Sequence, residues 1–96
     1  MTLDELRAKH RDFILKTAAE HGVSDVRVFG SVARGDADEH SDVDLLVKLG
    51  EKTSLLTLAR LERLLGETVG MPFQVITEGG INPLIEDRIF GEAESL

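Results

Sequence analysis

Asp42 and Asp44 stand two residues apart, and a Gly30-Ser31 pair precedes them by ten intervening residues. In an extended strand, positions i and i+2 project to the same side, so both carboxylates would share one face about 6–7 Å apart. Two like charges held in that way repel each other unless a cation lies between them. Hard divalent ions suit such a pair, and Mg²⁺ typically takes one or two carboxylates together with substrate phosphates. Gly30-Ser31 offers the complementary chemistry. A glycine directly after an apolar run permits a sharp turn and lets a ligand approach the backbone closely. A helical turn starting at Ser31 would aim its first N–H groups at an anion. Ser31 adds a hydroxyl, and Arg34 adds a forked cation suited to phosphate. Each half alone is an ordinary feature, a solvated strand start or a strand-ending turn. Together they describe a site for a metal-bound nucleotide.

An alternative metal loop starting at Asp36 fails. Ser41 stands where an EF-hand needs glycine, and Val47 stands where it needs a bidentate glutamate.

The elements that must position these residues are legible in outline. Thr2-Leu3-Asp4-Glu5 forms a capping box, with Thr2 as N-cap and Glu5 at the third helical position. Leu3, Leu6, Phe13, Ile14 and Ala18 then recur at helical spacing, which predicts a helix to about Glu20 before Gly22. Val26, Val28 and Phe29 make a first short strand ending at Gly30. Ser31 to Ser41 reads as a polar loop with one helical turn, and Val43 to Val47 as the second strand. On that strand Asp42, Asp44 and Leu46 share one side, while Val43, Leu45 and Val47 face the core. Thr53 or Ser54 caps a helix carrying Leu55, Leu58, Leu61 and Leu65 and ending at Gly66. Phe73 to Ile76 is a third strand. Asn82-Pro83 reads as an N-cap and first helical position of a last helix to about Glu94, with Ile85 and Ile89 on one face. The expected fold is α/β or α+β, a small three-stranded sheet with helices packed on it.

Composition narrows the function. A chain of 96 residues is the length of one domain, here 1–96. No stretch approaches the roughly 18–20 apolar residues of a membrane span. The acidic start, Met1-Thr2-Leu3-Asp4-Glu5, lacks the basic and apolar regions of a signal peptide. With no cysteine, there is neither a disulfide framework nor a Cys-based zinc site. A cytoplasmic protein is the expectation. The net charge of −7 and the four aromatics, all Phe, disfavour direct nucleic-acid binding. That binding draws on a basic surface and on stacking platforms.

The joint pattern, Gly-Ser, ten residues, Asp-x-Asp, resembles the signature of the DNA polymerase β-like nucleotidyltransferase superfamily. Phe29-Gly30-Ser31-Val32-Ala33-Arg34-Gly35 followed by Ser41-Asp42-Val43-Asp44-Leu45 is similar to its minimal nucleotidyltransferase (MNT) branch, over nearly the whole chain. The resemblance implies a mixed three-stranded sheet flanked by helices. It further implies that Gly30 and Ser31 hold the β- and γ-phosphates of a nucleoside triphosphate, with Arg34 as a supporting contact. Asp42 and Asp44 would bind two Mg²⁺ ions and serve as the catalytic carboxylates, with ATP as substrate. Such domains commonly act as antitoxins in HEPN/MNT pairs, some of which transfer AMP to the partner toxin. The implied partner is therefore a HEPN protein.

One position departs from that pattern. The superfamily carries a third carboxylate on the next strand, and the matching position here is Gln74. An amide can bind a metal weakly but cannot serve as a base, and loss of a positioned base typically costs about 10²- to 10⁴-fold. Glu78 lies four residues on and could substitute from the strand end. Gln74 keeps a second reading open, in which an inactive MNT domain neutralises a HEPN ribonuclease by binding it. Nucleotidylation of a small molecule by a homo-oligomer is a third. Among the remaining polar residues, His40 and the Asp36, Asp38 and Glu39 run read as a solvated loop. His21 reads as a helix-end residue, and His10 has no second histidine at metal spacing.

Overall fold

The computed structural model describes residues 1–96. Helix α1 (Leu3–Glu20) begins as its capping box dictates: the Glu5 N–H donates to Thr2 Oγ1 at 3.1 Å, and the Thr2 hydroxyl reaches Glu5 Oε1 at 3.4 Å. His21 closes the helix, with its Nδ1 at 2.7 Å from the Thr17 carbonyl oxygen, which fits a structural role for that residue. Strand β1 (Val23–Phe29) leads directly into a five-residue helix, α2 (Gly30–Arg34). Strand β2 (Val43–Leu49), helix α3 (Leu55–Val69) and strand β3 (Phe73–Thr77) follow. A single 3₁₀ turn over Glu78–Gly80 then leads to helix α4 (Glu86–Glu92) and strand β4 (Glu94–Ser95).

The sheet has four strands in the order β3-β2-β1-β4. β1 runs antiparallel to both β2 and β4, and β2 runs parallel to β3, so the sheet is mixed. The expected three strands are thus corrected to four. β4 exists because β1 supplies its partners, Arg27 opposite Ser95 and Val28 opposite Glu94. Arginines of α1 hold its end, with Arg7 donating to the Ser95 carbonyl and Arg11 to the Leu96 carbonyl. At the opposite edge, the Val75 N–H of β3 donates to Glu62 Oε1 at 2.7 Å. That contact occupies a backbone group which an edge strand would otherwise leave open to pairing.

α1 and α3 cover one face of the sheet. Leu6, Ile14, Val28, Val43, Leu45, Val47, Leu61 and Leu65 are completely or almost completely buried there. Val43, Leu45 and Val47 face this core, as the strand alternation requires. Leu46 points to the other face and is also fully buried, packed with Ile81 and Ile89 beneath α4. Burial of Ile89 matches its expected inward face, whereas Ile85 is largely exposed. α4 therefore lies over the face that carries the acidic pair. No helix is long and apolar enough to cross a membrane.

β1 begins earlier than expected, at Val23, and β2 runs on to Leu49; two helix boundaries differ as well. Gly66 does not end α3; the helix runs on to Val69 and stops at Gly70. A glycine inside a helix costs only about 1 kcal/mol, which the buried Leu58, Leu61 and Leu65 stripe outweighs. Asn82 does not cap α4. Its Oδ1 accepts the Leu84 N–H at 3.0 Å, a local turn that delays the helix until Glu86.

Candidate active site

The site lies at the end of the sheet where β1 gives way to α2. Phe29 pairs with Asp44 across the β1–β2 ladder, so Gly30, one residue further on, sits against the Asp44 side chain. Gly30 is buried and has φ +74°, in the left-handed region that side chains disfavour. A Cβ added there would overlap Asp44 Oδ2 and lie 3.2 Å from its Cγ. Glycine is therefore required at this position twice, by backbone conformation and by the close approach of the carboxylate.

α2 then places Ser31 half-buried beside this contact and Val32 in the core. The helix closes at Gly35, where the N–H groups of Gly35 and Asp36 both donate to the Ser31 carbonyl at 3.0 Å. The loop back to β2 is ordered by its own polar residues. Asp38 Oδ1 accepts from the His40 N–H at 2.8 Å and the Ser41 hydroxyl at 3.1 Å. The His40 ring is exposed and lies 3.5 Å from Glu39 Oε1, as a solvated loop residue should.

Asp42 precedes β2 and is exposed; Asp44 is half-buried within it. Asp44 holds its proton more tightly than an ordinary aspartate. Burial is the main cause and the Asp42 charge the second, with Glu92 adding to them and Arg34 opposing. This is the electrostatic state of a carboxylate pair that a cation would relieve. The donors are hard oxygens, so Asp42 and Asp44 fit Mg²⁺. No cluster of three or more metal-ligating side chains forms around them. Gln74 is the in-register neighbour of Asp44 across the β2–β3 ladder and is exposed. The position at which the resemblance expects a third carboxylate thus lies beside Asp44 and holds an amide. The Glu78 carboxylate is paired with Arg27.

Arg34 reaches the site already engaged. Its Nε donates to Asp36 Oδ2 at 3.2 Å, and its Nη1 lies 3.1 Å from both oxygens of Glu92. These two acids raise its pKa, Asp36 first. Glu92 is the residue that sequence reasoning missed. From the last turn of α4, its Oε2 accepts the Gly30 N–H at 3.3 Å and its Oε1 accepts from Arg88 Nε at 3.3 Å. Burial pushes the Glu92 pKa up, but hydrogen bonds from Arg34, Arg88 and the Gly30 N–H outweigh it and leave the pKa lowered. The Arg88–Glu92 pair at i,i+4 spacing was visible in the sequence. Its aim at Gly30, 62 positions away, was not.

Gly30, Ser31, Arg34, Asp44, Arg88 and Glu92 line a cavity of about 230 Å³. A wider, open groove of about 680 Å³ runs between α3 and the start of β3. Its charged residues are internally committed, Arg63 to Glu67 and Glu62 to the Val75 N–H.

The nucleotidyltransferase domain family matches residues 5–96. MJ0435 of Methanocaldococcus jannaschii, provisionally named a protein adenylyltransferase, is 43% identical over 93 residues, covering 97% of this chain and 96% of its own length. A solved structure provisionally described as a minimal nucleotidyltransferase superposes with a TM-score of 0.85 at 44% identity, covering 100% of this chain and 97% of the other. A crystal structure of a toxin–antitoxin with AMP-PNP shares the fold, with a TM-score of 0.77 at 14% identity over 90% of this chain and 71% of the other. The chain belongs to the nucleotidyltransferase domain family and is a nucleotidyltransferase of the minimal type.

Proposed function

We propose that the protein transfers AMP from ATP to a hydroxyl of a partner protein, a HEPN-type toxin, and so acts as the antitoxin of a toxin–antitoxin pair. The observation that carries this reading is the seat formed by Gly30 against Asp44, which sets a cavity beside an under-neutralised carboxylate pair. The name of the Methanocaldococcus relative supports a protein acceptor, and the toxin–antitoxin fold neighbour supports a toxin.

In this reading the Gly30 N–H and the Ser31 hydroxyl bind the β- and γ-phosphates, and Arg34 supports them. Asp42 and Asp44 would hold two Mg²⁺ ions, which would supply charge neutralisation to the transferring phosphate. The partner's hydroxyl oxygen bonds to the α-phosphorus while the bond from that phosphorus to the bridging oxygen breaks. Pyrophosphate leaves, and the hydroxyl proton passes to solvent. Most of the protein's contribution is positioning and electrostatics, as in phosphoryl transfers generally.

Gln74 favours the second reading, neutralisation of the toxin by binding alone. An Asp42→Asn/Asp44→Asn variant separates the two. Loss of neutralisation with an intact complex supports chemistry, whereas retained neutralisation overturns it in favour of binding.

A further inference from the structure

The groups assigned to phosphate already hold an anion belonging to the protein. Glu92 sends one carboxylate oxygen to the Gly30 N–H at 3.3 Å and both oxygens to Arg34 Nη1 at 3.1 Å. Its side chain is only 18% exposed. A carboxylate offers the same acceptor oxygens and charge sign as a phosphate edge, and charge-assisted bonds of this kind are the stronger ones. Glu92 also lies in the same cavity as Asp44 and adds to the negative field there. A triphosphate and the Glu92 carboxylate cannot occupy these donors together.

We propose that Glu92 is an internal stand-in for a nucleotide phosphate: its carboxylate closes the Gly30–Arg34 cradle, and the nucleotide enters by displacing it. The inference rests on the reading of Gly30 and Arg34 as phosphate contacts. Glu92 terminates α4, and only Ala93 separates it from β4, so its release frees the end of that helix from Gly30 and Arg34. Arg88, one turn earlier, is the partner that can keep the displaced carboxylate on α4. Displacement thus transfers Arg34 from Glu92 to substrate and ties nucleotide occupancy to the position of α4. That helix and the turn before it present Leu84, Ile85 and Phe90 to solvent.

The test is the affinity of Mg·AMP-PNP and of inorganic triphosphate for the wild-type protein, Glu92→Gln and Glu92→Asp, with folding checked by circular dichroism. A cradle closed nine-tenths of the time lowers apparent affinity about tenfold, so Glu92→Gln should bind both probes about tenfold more tightly. Glu92→Asp keeps the charge but falls one methylene short of Gly30, and it should bind several-fold more tightly as well. Unchanged or weaker binding by Glu92→Gln overturns the proposal and makes Glu92 a support for Arg34. Tightening in Glu92→Gln alone also overturns it, because the effect is then only charge. Tightening for triphosphate without any binding of the nucleotide keeps the stand-in and removes the nucleotidyl reading; no binding of either probe removes both. In the wild-type protein, saturating Mg·AMP-PNP should shift the carbon-13 signal of the Glu92 side-chain carboxylate as it leaves Gly30 and Arg34, and an unshifted signal at saturation would contradict displacement even if the variants fold poorly.

Discussion

Gly30 and Asp44 are fitted to each other so closely that the glycine's missing side chain is the space the carboxylate fills. This contact joins the two halves of the Gly-Ser…Asp-x-Asp pattern, and it predicts a contrast between two glycines. Gly30→Ala bears a left-handed backbone penalty of about 1–2 kcal/mol and also displaces Asp44. Gly35→Ala has a similar φ of +85° but meets nothing within 4 Å. Thermal melts should therefore show the larger loss for Gly30→Ala. Nucleotide binding should disappear in that variant while surviving in Gly35→Ala; equal losses would mean that the contact is not used.

Asp44 is predicted to weaken the fold it serves. Its pKa is raised above the ordinary 3.8, so the folded protein binds this proton more tightly than the unfolded chain. Its contribution to stability falls as pH rises from 3.8 through the folded value, and the penalty is fully present at neutral pH. Asp44→Asn should then melt at a higher temperature than wild type at pH 7 without divalent ions, and the gap should close toward acid. Mg²⁺ should raise the wild-type melting temperature and leave the variant's nearly unchanged. A lower melting temperature for the variant would refute the argument.

Gln74→Glu should bring a third carboxylate beside Asp44, because the two positions are in register on neighbouring strands. Without metal it should lower the melting temperature by adding charge to an uncompensated pair. With Mg²⁺ it should raise the transfer rate by at least about tenfold, a modest part of what a positioned base supplies. An unchanged rate would show that the amide costs this enzyme nothing.

Leu46 is predicted to anchor α4 over the site. It is fully buried in a cluster with Ile81 and Ile89, away from the main core. Leu46→Ala should cost about 2–5 kcal/mol, read from the shift in urea midpoint. The loss should be accompanied by faster amide exchange in α4 than in α1. Uniform acceleration would indicate that α4 has no separate anchorage.

The sequence made legible whatever was encoded locally. The Thr2–Glu5 capping box, the Val43–Val47 alternation and three of the four residues in the Leu55–Leu58–Leu61–Leu65 stripe depend on neighbours within a few residues and appear as read, whereas Leu55 is exposed at the start of α3. Gly30, Ser31 and Asp44 come together as their spacing implied, with Asp42 at the strand's edge. Features that depend on distant partners were hidden. β4 is two residues long and forms only because β1 and the α1 arginines hold it. Leu46 carries no local mark of the second cluster that buries it, since that cluster is assembled from α4 and the turn before it. Glu92 looks like one more solvated acid until the fold brings it to Gly30 and Arg34.

The central claim is that the Asp42–Asp44 pair supports transfer of a nucleotide to a protein. Incubation of the purified protein with Mg²⁺, ATP labelled at the α-phosphate and a HEPN-type toxin that it binds tests this most directly. Label should appear on the toxin with release of pyrophosphate, and both should be absent in Asp42→Asn/Asp44→Asn. An unlabelled toxin in a tight complex with the wild-type protein would contradict it.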